Sequence, residues 1–163
     1  MDTNITTTIL AGGCFWGVEE LFRQQPGVVG TRVGYTGGHT QDPTYETVRT
    51  GTTGHAESLE ISFNAKQTSY EDIFKFFFSI HDPTTLNQQG NDLGTQYRSA
   101  IFYQSEAEKQ SALQVINEIG KEHWQNPIVT QVIPLDQFYD AEAFHQDYLQ
   151  KNPGGYTCHF KRY

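Results

Sequence analysis

In "HAESLEISF", residues 55–63, Leu59, Ile61 and Phe63 alternate with Glu60 and Ser62, the two-residue period of a strand with one buried face. If the strand starts early enough, the same period places Glu57 on the apolar side. Other segments repeat at helical spacing. In "CFWGVEELFRQQ", residues 14–25, Phe15, Val18, Leu21 and Phe22 share one helix face, and Pro26-Gly27 closes the helix. "YEDIFKFFFSIH", residues 70–81, predicts a deeply buried helix capped by Ser69 or Asp72 and stopped at Asp82-Pro83. Ser105 and Glu108 form a capping box for a long helix through Trp124, and "DAEAFHQDYLQKN", residues 140–152, predicts a last helix. Strands are expected at 6–11, 28–35, 100–104 and 128–135. Two stretches, 36–54 and 82–99, carry neither period, and loops of this length in a compact domain are often functional.

This order, without repeats, low-complexity segments or linkers, predicts an α+β two-layer sandwich of helices on a mixed or antiparallel sheet. A chain of 163 residues suits one domain with a core that needs no staple. Nineteen acidic against eleven basic residues give a formal charge of -8, which argues against a nucleic-acid or anionic-membrane surface. The first ten residues lack a cationic segment followed by an apolar run, so a cytoplasmic protein is expected. Only two cysteines occur, Cys14 and Cys158, and in a reducing compartment such a pair is more often catalytic or redox-sensing than structural.

Cys14 lies in "GGCFWG", where the chain passes from strand to helix. A helix start offers its sulfur unpaired N–H groups and the positive dipole end, both favouring thiolate, and Gly12, Gly13 and Gly17 permit close approach of another molecule. A small buried thiol that only packs is the competing reading. Phe15 and Trp16 point about 100° apart on a helix, so one of them is expected beside the cysteine as an apolar wall.

The motifs "GGCFWG", "GYTGG", "DPTYETVRTGTTGHAE", "HDPT", "QGNDLGTQYRS", "FHQDYLQKNP" and "GGYTCHF" run in order from residue 12 to 160, and together they resemble the peptide methionine sulfoxide reductase A family. The resemblance implies a ferredoxin-like core with long active-site loops and a monomeric enzyme without bound cofactor or metal. It implies reduction of the S epimer of methionine sulfoxide, free or within peptides and oxidised proteins, as repair after oxidative damage. By the same resemblance Cys14 is the nucleophile, Glu57 the acid, Tyr45 and Tyr97 the donors to the sulfoxide oxygen, and Asp92 an orienting carboxylate. Phe15 and Trp16 hold the substrate methyl group. Cys158, one residue later in "GYTCHF" than in many members, is the thiol that resolves the Cys14 sulfenic acid into a disulfide, which thioredoxin reduces.

Two other chemistries use the same residues. A cysteine hydrolase or acyl transferase would activate Cys14 with His55, His81, His145 or His159. A zinc or redox-sensing module would use Cys14, Cys158, His159 and another histidine, although no C-x-x-C or H-x-x-x-H spacing supports one.

Overall fold

A computed structural model describes residues 4–163. In chain order its elements are β1 (Ile5–Gly12), α1 (Phe15–Arg23), β2 (Val28–Thr36), α2 (Tyr45–Val48), β3 (Ala56–Asn64), α3 (Tyr70–Ile80), β4 (Gln88–Gln89), β5 (Asp92–Leu93), β6 (Ser99–Tyr103), α4 (Glu106–Glu122), β7 (Gln131–Pro134), β8 (Tyr139–Asp140) and α5 (Tyr148–Lys151). The alternating segment is the central strand β3, antiparallel to β1 on one side and to β2 on the other. The six-stranded sheet has the order β7-β6-β1-β3-β2-β8. Within it β1-α1-β2-β3-α3-β6 is a βαββαβ unit with β1 and β3 central and β2 and β6 outside, the ferredoxin-like arrangement. Only β7 runs parallel to its neighbour, β6, because α4 returns the chain to the same end before it re-enters the sheet.

All three long helices cover one face. Leu10, Leu59, Ile61, Phe63 and Ile101 of the sheet pack with Phe22 of α1, with Phe74, Phe77 and Phe78 of α3, and with Val115 and Ile119 of α4. Each such side chain contributes about 1.5–3 kcal/mol on burial. The alternate strand positions Ile9, Ala11, Ala56, Ala100 and Phe102 face the other side, beneath Ile133, Leu135 and Phe138. Ser69 caps α3 by accepting the Asp72 N–H at 3.1 Å, and Ser105 caps α4 by accepting the Glu108 N–H at 3.2 Å. The carboxylate of the expected capping box turns elsewhere: Glu108 accepts the Gln104 N–H at 2.9 Å and the Thr8 hydroxyl, tying the start of α4 to β1.

Four segments differ from the sequence pattern. The loop 36–54 contains the single turn α2, capped by Thr44, and the stretch 82–99 folds into the ribbon β4–β5 and a 3-10 turn at Thr95–Tyr97. The strand expected over 128–135 is ordered only from Gln131 to Pro134. The helix expected over 140–152 does not form: strand β8, a 3-10 turn at Ala143–His145 and the short α5 take its place. Tertiary partners outcompete helical bonds there. The Gln146 side chain acts as a strand partner, its Oε1 accepting the Val33 N–H at 2.9 Å and its Nε2 donating to the carbonyls of Val33 at 2.9 Å and Ala141 at 3.1 Å. Asp147 follows at φ 54°, a left-handed conformation fixed by its N–H donating to the buried Glu19 Oε1 at 2.7 Å.

Replacing Gln146 by Ala removes these three bonds and orphans the Val33 N–H, while the Val33 carbonyl keeps the Ala141 N–H at 3.0 Å. The expected loss is about 1–3 kcal/mol, read as a lower urea midpoint at unchanged m-value; an unmoved midpoint would show that the amide does not clamp the segment.

Candidate active site

Strand β1 ends at Gly12, Gly13 turns the chain at φ +97°, and Cys14 becomes the N-cap residue of α1. The thiol makes no capping hydrogen bond. The first free N–H of the helix, on Phe15, donates instead to Glu57 Oε1 at 3.2 Å. Glu57 reaches this point because β3 begins at Ala56, so the residue shares the apolar face and is only 1 % exposed. Burial pushes its carboxyl up to about 8, against the lowering effect of the Phe15 N–H, and Asp92 adds a smaller upward push. The group therefore keeps its proton at neutral pH.

The helix start favours a thiolate at Cys14, but burial outweighs it. The residue is buried, and desolvation, followed by the Glu57 charge, drives its pKa well above that of an ordinary thiol, while the Trp16 N–H pulls the other way. A helix N-terminus stabilises an anion by at most about 2 kcal/mol, and several kcal/mol of burial cost outweighs that. In the resting site both Cys14 and Glu57 hold protons.

Tyr45 opens α2 and Tyr97 ends the 3-10 turn, so both phenols come from the two irregular stretches. Burial, then the charge of Glu57, pushes both upward; Tyr97 also responds to Tyr45, Asp92 and Cys14. These couplings bring Cys14, Glu57, Tyr45 and Tyr97 into one site with two phenol hydroxyls that stay protonated. Asp92 stands toward its other end, where Oδ2 accepts the Tyr156 hydroxyl at 3.3 Å and lies 3.9 Å from Cys158 Sγ. Burial raises the Asp92 pKa against those two contacts.

The aromatic pair divides as its spacing requires. Phe15 turns into the core, and Trp16, half-buried, stays at the site. The Trp16 indole N–H donates to His145 Nδ1 at 3.0 Å, its ring stacks 3.9 Å from Tyr148, and Tyr45 lies parallel at 6.4 Å. Glu142 joins the two sides, accepting the Tyr35 hydroxyl at 2.8 Å and the Tyr45 N–H at 3.0 Å. Sequence reasoning missed Tyr35, Glu142 and Tyr148 and assigned His145 only to the hydrolase alternative. The available signal was the density of aromatic and polar residues in "AEAFHQDY", read there as an ordinary amphipathic helix.

The tail places Cys158 at the same site. Its Sγ lies 4.0 Å from the Gln89 carbonyl and 3.9 Å from Asp92 Oδ2, and its charge is felt at Cys14. The motif glycines make room for the chain itself rather than for another molecule. A Cβ on Gly17 would stand 2.3 Å from Thr157 Oγ1 and 2.4 Å from His159 Nδ1, and one on Gly13 would stand 2.7 Å from the Gln89 side chain. None of the four histidines offered by the hydrolase alternative is hydrogen-bonded to Cys14. His55 accepts from the Gly38 N–H and donates to the Thr40 carbonyl, His81 bonds Phe77 and Ser99, His145 bonds Trp16, and His159 bonds Gly12. Among the described residues no three His, Cys, Asp or Glu side chains are grouped as metal ligands. A cleft of about 510 Å3 beside Arg98 and Gln131, and one of about 190 Å3 beside His55, contain none of Cys14, Glu57, Tyr45 or Tyr97. The chemistry of the side chains, not the depth of a hollow, marks the site.

Comparison with known proteins gives one family. Residues 6–163 match the family model described as peptide methionine sulfoxide reductase. A relative from Mycobacterium sp. (strain MCS), the peptide methionine sulfoxide reductase MsrA, is 55% identical over 155 residues, covering 94% of this chain and 88% of its own. The crystal structure of Mxr1 from Saccharomyces cerevisiae in reduced form superposes with a TM-score of 0.94 at 40% identity, over 100% of this chain and 95% of that one. A structure of Mxr1 in complex with Trx2 superposes with a TM-score of 0.69 at 28% identity, over 100% and 94% of the two chains.

Glu57 sets a pH dependence of stability. Its pKa rises from 4.5 to about 8 on folding, so between those values the folded chain holds a proton that the unfolded chain has released. Stability from this group is complete below 4.5 and falls as pH rises toward 8, by about 1.4 kcal/mol per pH unit at most. Glu57→Gln is expected to flatten this slope in urea titrations from pH 5 to 8; an identical slope in the variant would place the carboxyl in water.

Proposed function

The chain belongs to the peptide methionine sulfoxide reductase family, and on that premise we propose that Cys14, Glu57, Tyr45 and Tyr97 reduce the S epimer of methionine sulfoxide. The protein returns methionine sulfoxide to methionine and is itself recycled by thioredoxin. The observation that carries the residue assignment is the Phe15 N–H bond to Glu57, which holds a protonated carboxyl against the first turn of the helix that Cys14 opens.

The sulfoxide oxygen is a poor leaving group as an oxide, so thiol attack on sulfur requires a proton and donors at that oxygen. Tyr45 and Tyr97 supply hydroxyl donors and Glu57 lends its proton. Its departure also leaves a carboxylate that takes up the proton of Cys14. The substrate S–O bond breaks, an S–O bond forms on Cys14, and Glu57 ends as it began, so methionine and a Cys14 sulfenic acid result without net proton change. The methyl group rests against Trp16, with Phe15 behind it, while Tyr148 and His145 fix the plane of the indole. Asp92 orients the mouth of the site near Cys158. The Cys158 thiol then attacks the sulfenic sulfur, a disulfide forms, and water leaves. Thioredoxin reduces that disulfide by exchange, and the complex of Mxr1 with Trx2 supports this partner.

The substrates in this reading are oxidised proteins, peptides and free methionine sulfoxide. Residues 1–163 act as one domain and as a monomer, with no bound cofactor. A cytoplasmic location agrees with the acidic composition and with the two free cysteines. Among the described residues no helix is long and apolar enough to cross a membrane.

Separated epimers and mass measurement test the reading. Cys14→Ser is expected to lose all reduction of the S epimer, and measurable turnover would refute the nucleophile. Cys158→Ser is expected to release one methionine per enzyme and then stop with thioredoxin as reductant; an undiminished steady state would remove Cys158 from the cycle. Glu57→Gln is expected to slow the first turnover by about 10²–10⁴-fold with little change in substrate binding; a wild-type single-turnover rate would exclude it as the acid.

A further inference from the structure

The tail after Asn152 has no regular secondary structure, yet it is fastened at a specific point. Tyr156 and Phe160 are largely exposed, whereas His159 between them is buried. Its imidazole Nε2 lies 2.6 Å from the carbonyl oxygen of Gly12, the last residue of β1 and two positions before Cys14. A carbonyl can only accept, so Nε2 carries the hydrogen and Nδ1 is left bare. Burial holds the ring neutral, with a pKa lowered to about 4. The bare Nδ1 lies 3.9 Å from Cys158 Sγ and against Gly17, where a Cβ would stand 2.4 Å away. The imidazole thus lies across the strand-to-helix turn that presents Cys14, and the next side chain back along the tail is Cys158. A second fastening, the Arg162 N–H to the Ser79 carbonyl at 2.7 Å, holds the chain beyond it.

We propose that His159 is the positioning residue for the disulfide-forming half of the cycle: bonded to the Gly12 carbonyl, it clasps the tail to the Cys14 turn and keeps Cys158 beside the nucleophile. The inference rests on the resolving role of Cys158. In that step the Cys158 S–H and the Cys14 S–OH combine, the new bond joins the two sulfurs, the S–O bond breaks, and the hydroxyl leaves as water with the thiol proton. No outside oxidant enters. The gain from His159 is proximity: a cysteine on an unfastened segment with Gly154 and Gly155 upstream would sample many positions, whereas the clasp restricts it to one. The bond is to the backbone of the nucleophile's own turn, so whatever moves Cys14 moves Cys158 with it. His159 has no part in binding sulfoxide.

Rapid mixing of full-length enzyme with one equivalent of methionine sulfoxide, quenched with an alkylating agent and read by mass, separates methionine release from disulfide formation. His159→Ala is expected to release its first methionine at the wild-type rate, to form the Cys14–Cys158 disulfide on the order of tenfold more slowly or worse, and to accumulate sulfenic acid trappable by a diketone. His159→Gln, whose amide N–H can reach the Gly12 carbonyl, is expected to recover much of that loss. Wild-type disulfide formation in His159→Ala would overturn the proposal. So would equal slowing of both steps in both variants, because the histidine would then support the Cys14 turn itself. Absence of a Cys14–Cys158 disulfide in the wild-type enzyme would instead refute the resolving role of Cys158, and the proposal with it.

Discussion

A carboxyl group without water is the constraint around which this site is arranged. Glu57 lies on the apolar face of the central strand, and its one backbone partner is the first N–H of α1. That single bond joins the middle of the sheet to the helix whose cap is Cys14. The same burial makes the carboxyl an acid and denies Cys14 its charge, since a thiolate would stand in an apolar space beside a group that also seeks to ionise. In the proposed reaction one proton given and one proton taken satisfy both groups, and the phenols on the irregular stretches and the aromatic recess receive the substrate, while the glycine turn makes room for the returning tail.

Much of the remaining chain holds this arrangement in place from its two ends. The segment after β8 is fixed by Gln146 on Val33 and by Asp147 on Glu19, and it lays His145 and Tyr148 against Trp16. The tail is fixed by His159 on Gly12 and Arg162 on Ser79. These contacts substitute for secondary structure, and each uses a side chain or a backbone group that a regular helix would have kept for itself. A segment with few internal bonds can then be as well determined as a strand, provided its partners are buried.

The sheet and its three long helices were legible because their periods are long and their caps conform to rule: Leu59, Ile61 and Phe63 announce β3, and Ser69 and Ser105 announce α3 and α4. Glu57 was legible for the same reason, as a polar residue on the apolar side of a clear alternation. The segment 140–152 was not, because its apolar spacing is helical and only tertiary partners, absent from any local window, pull Gln146 and Asp147 out of that pattern. Glycine meaning was half legible. That Gly13 and Gly17 must lack side chains could be expected from the motif, but that residues 157–159 fill the space depends on a chain return of some 140 residues. The helix start that favours a thiolate at Cys14 is local and was legible, whereas the desolvation that holds the thiol protonated depends on the whole fold.

A thiol that stays protonated at rest also has a chemical consequence for the enzyme's own survival. Peroxides and electrophiles attack the thiolate, and the ladder from sulfenic to sulfinic and sulfonic acid begins there. An idle molecule of this protein holds Cys14, the nucleophile of the proposed reaction, as a buried, neutral S–H, so ambient oxidant finds little to react with. In the proposed reaction the sulfoxide brings its own oxygen into the site, where the phenols and Glu57 would meet it; a stray peroxide molecule lacks the methyl group proposed to rest against Trp16. Burial that costs reactivity in the empty site thereby confers selectivity on a repair enzyme that works amid the oxidants whose damage it reverses.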